Sequence, residues 1–150
     1  MKKLLLATLA ATATLASLPA AAQFQKPEDA IKYRQSAFTV MGAHFGRIGA
    51  MANGRVPFDA KAVTDNMVIV NDMARLPFTA FGAGTDKGMP NRAKAEIWTD
   101  AAGFEAAGAA YGKGFAAVKA ATDDASFKAA FNEFGGSCKG CHEKFRRPKE

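Results

Sequence analysis

Apolar residues recur at helical spacing in four stretches of this chain, and strand-like alternation is scarce. The spacing predicts helices over about Pro27 to Met51, Asp59 to Leu76, Thr99 or Asp100 to Ala121, and Asp123 or Asp124 almost to Pro148. Glu28 and Asp29 suit the positive end of the first helix dipole, and "ANGR" closes that helix. Asp59 reads as the N-cap of the second helix, which Pro77 is expected to stop. In the fourth stretch Phe127, Phe131, Phe134, Cys138, Cys141 and Phe145 follow at steps of 4, 3, 4, 3 and 4. That is a bundle-core stripe, and it puts both cysteines on one face with four phenylalanines. Val63, Met67, Val70 and Ala74 form a matching face in the second stretch, as do Phe104, Tyr111, Phe115 and Val118 in the third. The third also carries Gly103, Gly108, Gly112 and Gly114, which weaken a helix and point to close approach by a neighbour or a bulky ligand.

Two connections are short, which sets neighbouring helices antiparallel. The other, "PFTAFGAGTDKGMPNRAKAEI" over residues 77–97, is long and marked by glycine and proline. Phe78 and Phe81 within it predict that it packs down on the bundle. The expected fold is all-α: one domain over residues 23–150, an antiparallel up-and-down four-helix bundle.

Residues 1–22 are expected to be a cleaved signal peptide. Lys2 and Lys3 precede a small apolar run from Leu4 to Leu18, Pro19 breaks it, and Ala20-Ala21-Ala22 offers a cleavage site. The run is short for a membrane span, which needs about 20 apolar residues. Cleavage lowers the formal charge from +6 to +4, because Lys2 and Lys3 leave. No later run is long and apolar enough to span, so the mature chain is expected to be free of the membrane and exported to the periplasm. The basic residues do not interleave with aromatics as nucleic-acid binders do, so no nucleic-acid partner is expected.

Export changes what the two cysteines mean. An oxidising compartment would ordinarily pair them. Cys138-x-x-Cys141-His142 is, however, the attachment signature of c-type haem. Positions three apart share a helix face, so two thiols reach one porphyrin and the next imidazole meets its iron. A thioredoxin-type pair needs strands, a zinc site needs four ligands, and a plain disulfide leaves His142 without a role.

Eight residues follow His142, so a second axial group is expected from upstream. In the first stretch Ile31, Arg34, Phe38, Met41, Phe45 and Ile48 make a core stripe with one anomaly. An arginine there is costly unless an anion pairs with it, and no acid shares the stripe. A haem propionate would supply the charge; the rival is an Arg34 that snorkels to solvent. Phe38, a turn away, cannot ligate and would leave the iron five-coordinate. Met41 is the alternative: its thioether would give a six-coordinate, low-spin electron carrier. His44 lies off that stripe, on a second one with Tyr33, Ala37 and Val40, and reads as a surface or interface histidine. The second stripe points to a partner subunit.

The stretches "QKPEDAIKYRQSAF", "LPFTAFG", "EIWTDAAGF" and "GGSCKGCHEKFRR" resemble cytochrome c′, the class II c-type cytochromes, over nearly all of residues 23–150. The resemblance implies haem c joined to Cys138 and Cys141, with His142 as proximal iron ligand. It implies Arg34 and Gln35 at the propionates, Phe38 on the distal face, and Arg146 in the proximal pocket. It further implies a homodimer through the first two helices, with nitric oxide bound, carbon monoxide bound more weakly and dioxygen largely excluded. The role expected is gas binding with electron transfer, not a proven enzyme.

Overall fold

The computed structural model describes residues 23–148, so the expected signal peptide lies outside the described residues. Five helices follow one another: α1 (Pro27–Ala52), α2 (Ala60–Phe78), α3 (Glu96–Thr99), α4 (Ala101–Ala120) and α5 (Asp124–Phe145). The four long ones form the expected all-α four-helix bundle, and α3 is a single turn inside the region read as loop.

Local chemistry sets the starts. Pro27 opens α1, where its missing N–H costs nothing, and Glu28 and Asp29 occupy the first turn. Asp59 caps α2 by accepting from Ala62 N at 3.0 Å, and Asp100 caps α4 by accepting from Gly103 N at 2.9 Å. Asp123 and Ser126 form a reciprocal capping box on α5.

The ends depart from the sequence reading in two places. Pro77 does not stop α2, which runs one residue further to Phe78. Proline removes one helical hydrogen bond, but it is fully buried here, and its own carbonyl accepts from Ala80 N at 2.9 Å. The last helix stops at Phe145, short of Pro148, because Arg146 turns extended and pairs with Ala93 in an isolated antiparallel bridge.

Packing is uneven along the bundle. α1 lies chiefly against α2, and α4 against α5; the two pairs meet far less. Where they do meet, Ile48, Met51, Val63, Met67, Val118 and Phe127 close a core from the end of α1, the start of α2, the end of α4 and the start of α5. All four segments lie at one end of the bundle. The second apolar stripe of α1 is used inside the chain in part: Ala37 is buried and His44 Nδ1 sits 2.8 Å from Asn66 Oδ1 of α2, while Val40 stays exposed.

One glycine of α4 explains how closely α4 meets α5. A Cβ on Gly114 would lie 2.8 Å from Cδ2 and 3.0 Å from Cα of Phe134. Gly114→Ala therefore destabilises the fold by about 1–2 kcal/mol net, overpacking outweighing the helix-propensity gain. Gly112, with nothing within 4 Å of its added Cβ, gives the opposite sign: Gly112→Ala stabilises by up to ~1 kcal/mol. Thermal unfolding of the two variants checks this, and a rise in Tm for Gly114→Ala would refute the close-approach account.

Candidate functional site

At the end opposite the core the helix pairs part around a cavity of about 1250 Å³. Its walls are the start of α1, the end of α2, the start of α4 and the end of α5. The floor is aromatic: Phe45 packs on Phe134 at 5.7 Å and Tyr111 on Phe134 at 5.1 Å between ring centroids. Tyr111 donates to Val70 O at 3.3 Å, and burial raises its pKa, so it stays a neutral phenol.

The α5 wall carries Cys138, Cys141 and His142 together, all half-buried. Both thiols are free, and burial pushes their pKa values up. His142 is held below its usual pKa by burial first, then by the charges of Arg146 and Arg92. That favours a neutral imidazole, the form that ligates metal. Arg146 Nη1 lies 3.4 Å from His142 Nδ1, so the expected neighbour of His142 is beside it. Among the described residues no cluster of three or more histidine, cysteine or acidic side chains could hold a metal ion, which leaves the zinc reading without a ligand set.

The facing wall is α1, and Arg34, Gln35, Phe38 and Met41 all line the cavity. Phe38 is 37 % exposed, while Met41 is half-buried and packs on the core. His44 does not line the cavity.

Arg34 is 3 % exposed, which rules out snorkelling. Its Nη1 donates to Ala80 O at 2.9 Å and its Nη2 to Thr85 O at 2.7 Å, and its guanidinium lies 4.5 Å from the centre of the Phe81 ring. Burial lowers its pKa, and Asp86 of the loop partly offsets this. The counter-charge absent from the α1 stripe thus comes in part from the loop. Gln35 Nε2 donates to Pro90 O at 3.0 Å, a second tie to the same loop. The loop packs down as expected: Trp98 Nε1 donates to Phe81 O and Gly82 O, and Phe78 and Phe81 both line the cavity.

The sequence reading missed the cationic edge of the mouth. Arg92, Lys94 and Arg147 line the cavity beside Arg146. "NRAK" and "FRRPK" are visible as basic runs, but their pairing across the mouth leaves no periodic signal.

The residues present fit a covalently held porphyrin. The cavity is large, apolar at its floor and cationic at its mouth, and two thiols three apart share a wall with an imidazole.

Comparison with known proteins agrees. The family described as Cytochrome C' matches residues 29–146. The cytochrome c′ of Rubrivivax gelatinosus is 56 % identical over 128 residues, covering 83 % of this chain and 98 % of that protein. Its crystal structure superimposes with a TM-score of 0.78 at 53 % identity, over 83 % of this chain and 100 % of that one. The nitric oxide complex of a variant of cytochrome c′ from Alcaligenes xylosoxidans gives a TM-score of 0.77 at 42 % identity, over 84 % and 99 %.

The anchoring of Arg34 generates a prediction. Arg34→Met leaves the Thr85 carbonyl without its donor and the Ala80 carbonyl with the Thr85 hydroxyl alone, and costs about 2–4 kcal/mol. Limited proteolysis then cuts at Lys87 faster than in the parent chain. An unchanged cleavage rate with an unchanged Tm would mean that Arg34 does not hold the loop.

Proposed function

The chain belongs to the cytochrome c′ family, and we propose that it is a periplasmic protein whose five-coordinate haem iron binds nitric oxide and can pass electrons. The family's cofactor is haem c, and the two cysteines for its attachment are present. The observation that carries the reading is the α5 wall, where Cys138, Cys141 and His142 line one apolar cavity opposite Phe38.

Cys138 and Cys141 would hold the group through thioethers, and the His142 imidazole would ligate its iron. Bound haem c supplies an iron that takes a diatomic ligand or exchanges one electron. Phe38 hinders the other face and offers no hydrogen-bond donor, which disfavours dioxygen relative to nitric oxide, with carbon monoxide weaker. Arg34 and Gln35 face the propionates while tied to the loop. Arg146 stands at the His142 side, where it can hydrogen-bond a ligand bound there.

The nitric oxide complex of the Alcaligenes xylosoxidans relative supports the choice of ligand. The leader at residues 1–22 supports export, and no helix of the described residues is long and apolar enough to cross a membrane. A homodimer through α1 and α2 is supported by Val40 and Val68, which are 42 % and 55 % exposed on those helices. The second reading, six-coordinate iron with Met41, keeps one observation in its favour: Met41 also lines the cavity.

The ferrous optical spectrum without added ligand decides between the two. A broad high-spin spectrum is expected, and a sharp low-spin pattern would establish Met41 ligation instead. Phe38→Ala should speed carbon monoxide binding about tenfold, the effect of removing ~1.4 kcal/mol from the barrier. Unchanged kinetics in flash photolysis would mean that Phe38 does not guard the iron.

A further inference from the structure

Residues 91–94 of the loop and 145–147 of the tail fasten to each other by main-chain bonds: Lys94 N donates to Phe145 O at 3.0 Å, and Arg147 N to Arg92 O at 2.8 Å. The fastening gathers Arg92, Lys94, Arg146 and Arg147 at one edge of the cavity mouth.

Three of these cations are held by main-chain carbonyl oxygens. Arg92 Nε donates to Arg147 O at 2.7 Å, Lys94 Nζ to Glu143 O at 2.8 Å, and Arg147 Nη2 to Asn91 O. A carbonyl oxygen orients a cation without cancelling its charge. Five other lysines of the described residues pair with carboxylates, among them Lys61 with Asp65 and Lys128 with Asp124. Two acids near the edge pair with other lysines, Glu143 with Lys139 and Asp100 with Lys144. Among the described residues none of the four edge cations forms an ion pair. Like charges are therefore held side by side and left open, an arrangement that favours arrival of an anionic surface.

We propose that this edge is the docking surface for the acidic face of a one-electron carrier protein. The cations are spread along a strap of backbone that is half-buried at residues 91–94 and exposed at residues 146–147, and they do not converge on a buried point, so a broad anionic face fits them better than one small anion. The strap borders the wall that carries Cys138, Cys141 and His142, so a carrier seated there lies next to the site of electron entry. The proposal rests on haem occupying this cavity. In the exchange the reduced partner loses one electron and the iron passes from ferric to ferrous, or the reverse, with no bond made or broken.

The test uses oxidised plant plastocyanin, an acidic copper protein, as acceptor from the ferrous holoprotein in stopped flow. At low ionic strength the double variant Arg92→Gln/Arg147→Gln should react about fivefold more slowly than the parent, and the difference should vanish at high salt. Arg92→Lys/Arg147→Lys, which keeps the charge, should retain most of the rate. Arg55→Gln/Lys119→Gln removes equal charge from the far end of the bundle and should change the rate less than about twofold. Equal slowing in the far-end pair, or none in the edge pair, overturns the proposal. The covalent haem mass is recorded first for every protein. Absence of haem from the parent chain overturns the cofactor reading and the docking site together. Haem present with rates insensitive to the edge overturns the docking site alone.

Discussion

The fold depends on a bundle that closes at one end only. Phe127 and Phe134 are fully buried, and Phe127, with Ile48, Val63 and Val118, draws four helices together where α1 ends and α5 begins. Burying a phenylalanine contributes about 1.5–3 kcal/mol, so a few such rings hold that end firmly. Further along, α1 stays with α2 and α4 with α5, and the pairs diverge. The divergence is the cavity. Phe134 sits at the transition: it meets Gly114 on one side and supports Phe45 and Tyr111 at the cavity floor on the other. The glycine lets α4 come close enough to make that floor, so the open end follows from how tightly the closed end packs.

An open apolar end must be kept from collapsing or fraying, and the loop after α2 does this. Arg34 reaches from α1 into it and donates to two buried carbonyls, of which the Ala80 carbonyl also accepts from the Thr85 hydroxyl. Trp98 ties the same loop from the other side through Phe81 and Gly82. Beyond them the strap at residues 91–94 joins the tail of α5. With the bond from Gln35 to Pro90 O, a segment with little regular structure is thus fixed at four places by hydrogen bonds to its main chain. Side chains that hold backbone in this way keep their own charge available, which is why the cavity mouth stays strongly cationic.

Much of this was legible in the sequence because it is periodic. The 3- and 4-residue steps of phenylalanine and cysteine in α5 gave the face, and Asp59 gave a helix start, with Asp100 and Asp123 each one of the two residues open as the start of the next long helices, since capping is a local interaction between residues three apart. The cysteine and histidine spacing carried the cofactor class for the same local reason. What escaped was non-local. Pro77 was read as a stop, but burial keeps it in the last turn of α2. Arg34 was read as short of a counter-charge because its partners lie 46 and 51 residues away on loop carbonyls, groups that every residue has and no sequence pattern marks. The pairing of Ala93 with Arg146 is invisible for that reason too, and with it the point where α5 stops.

The same distinction separates the two sides of the cavity. On the α5 wall, function is written into one short motif whose geometry the helix supplies, so any well-formed helix would present it. On the α1 wall, Phe38 and Met41 both line the space and are three residues apart, so their order of approach depends on how α1 is rotated and tilted. That orientation is set by the packing of α1 along α2, with Ile48 and Met51 in the core at one end and Arg34 in the loop at the other. Met41 packs toward the core while Phe38 keeps more of its surface open to the cavity. Arg34 is one of the contacts that hold α1 in that orientation, so the arginine that anchors the loop also helps to position the residues that would guard the iron.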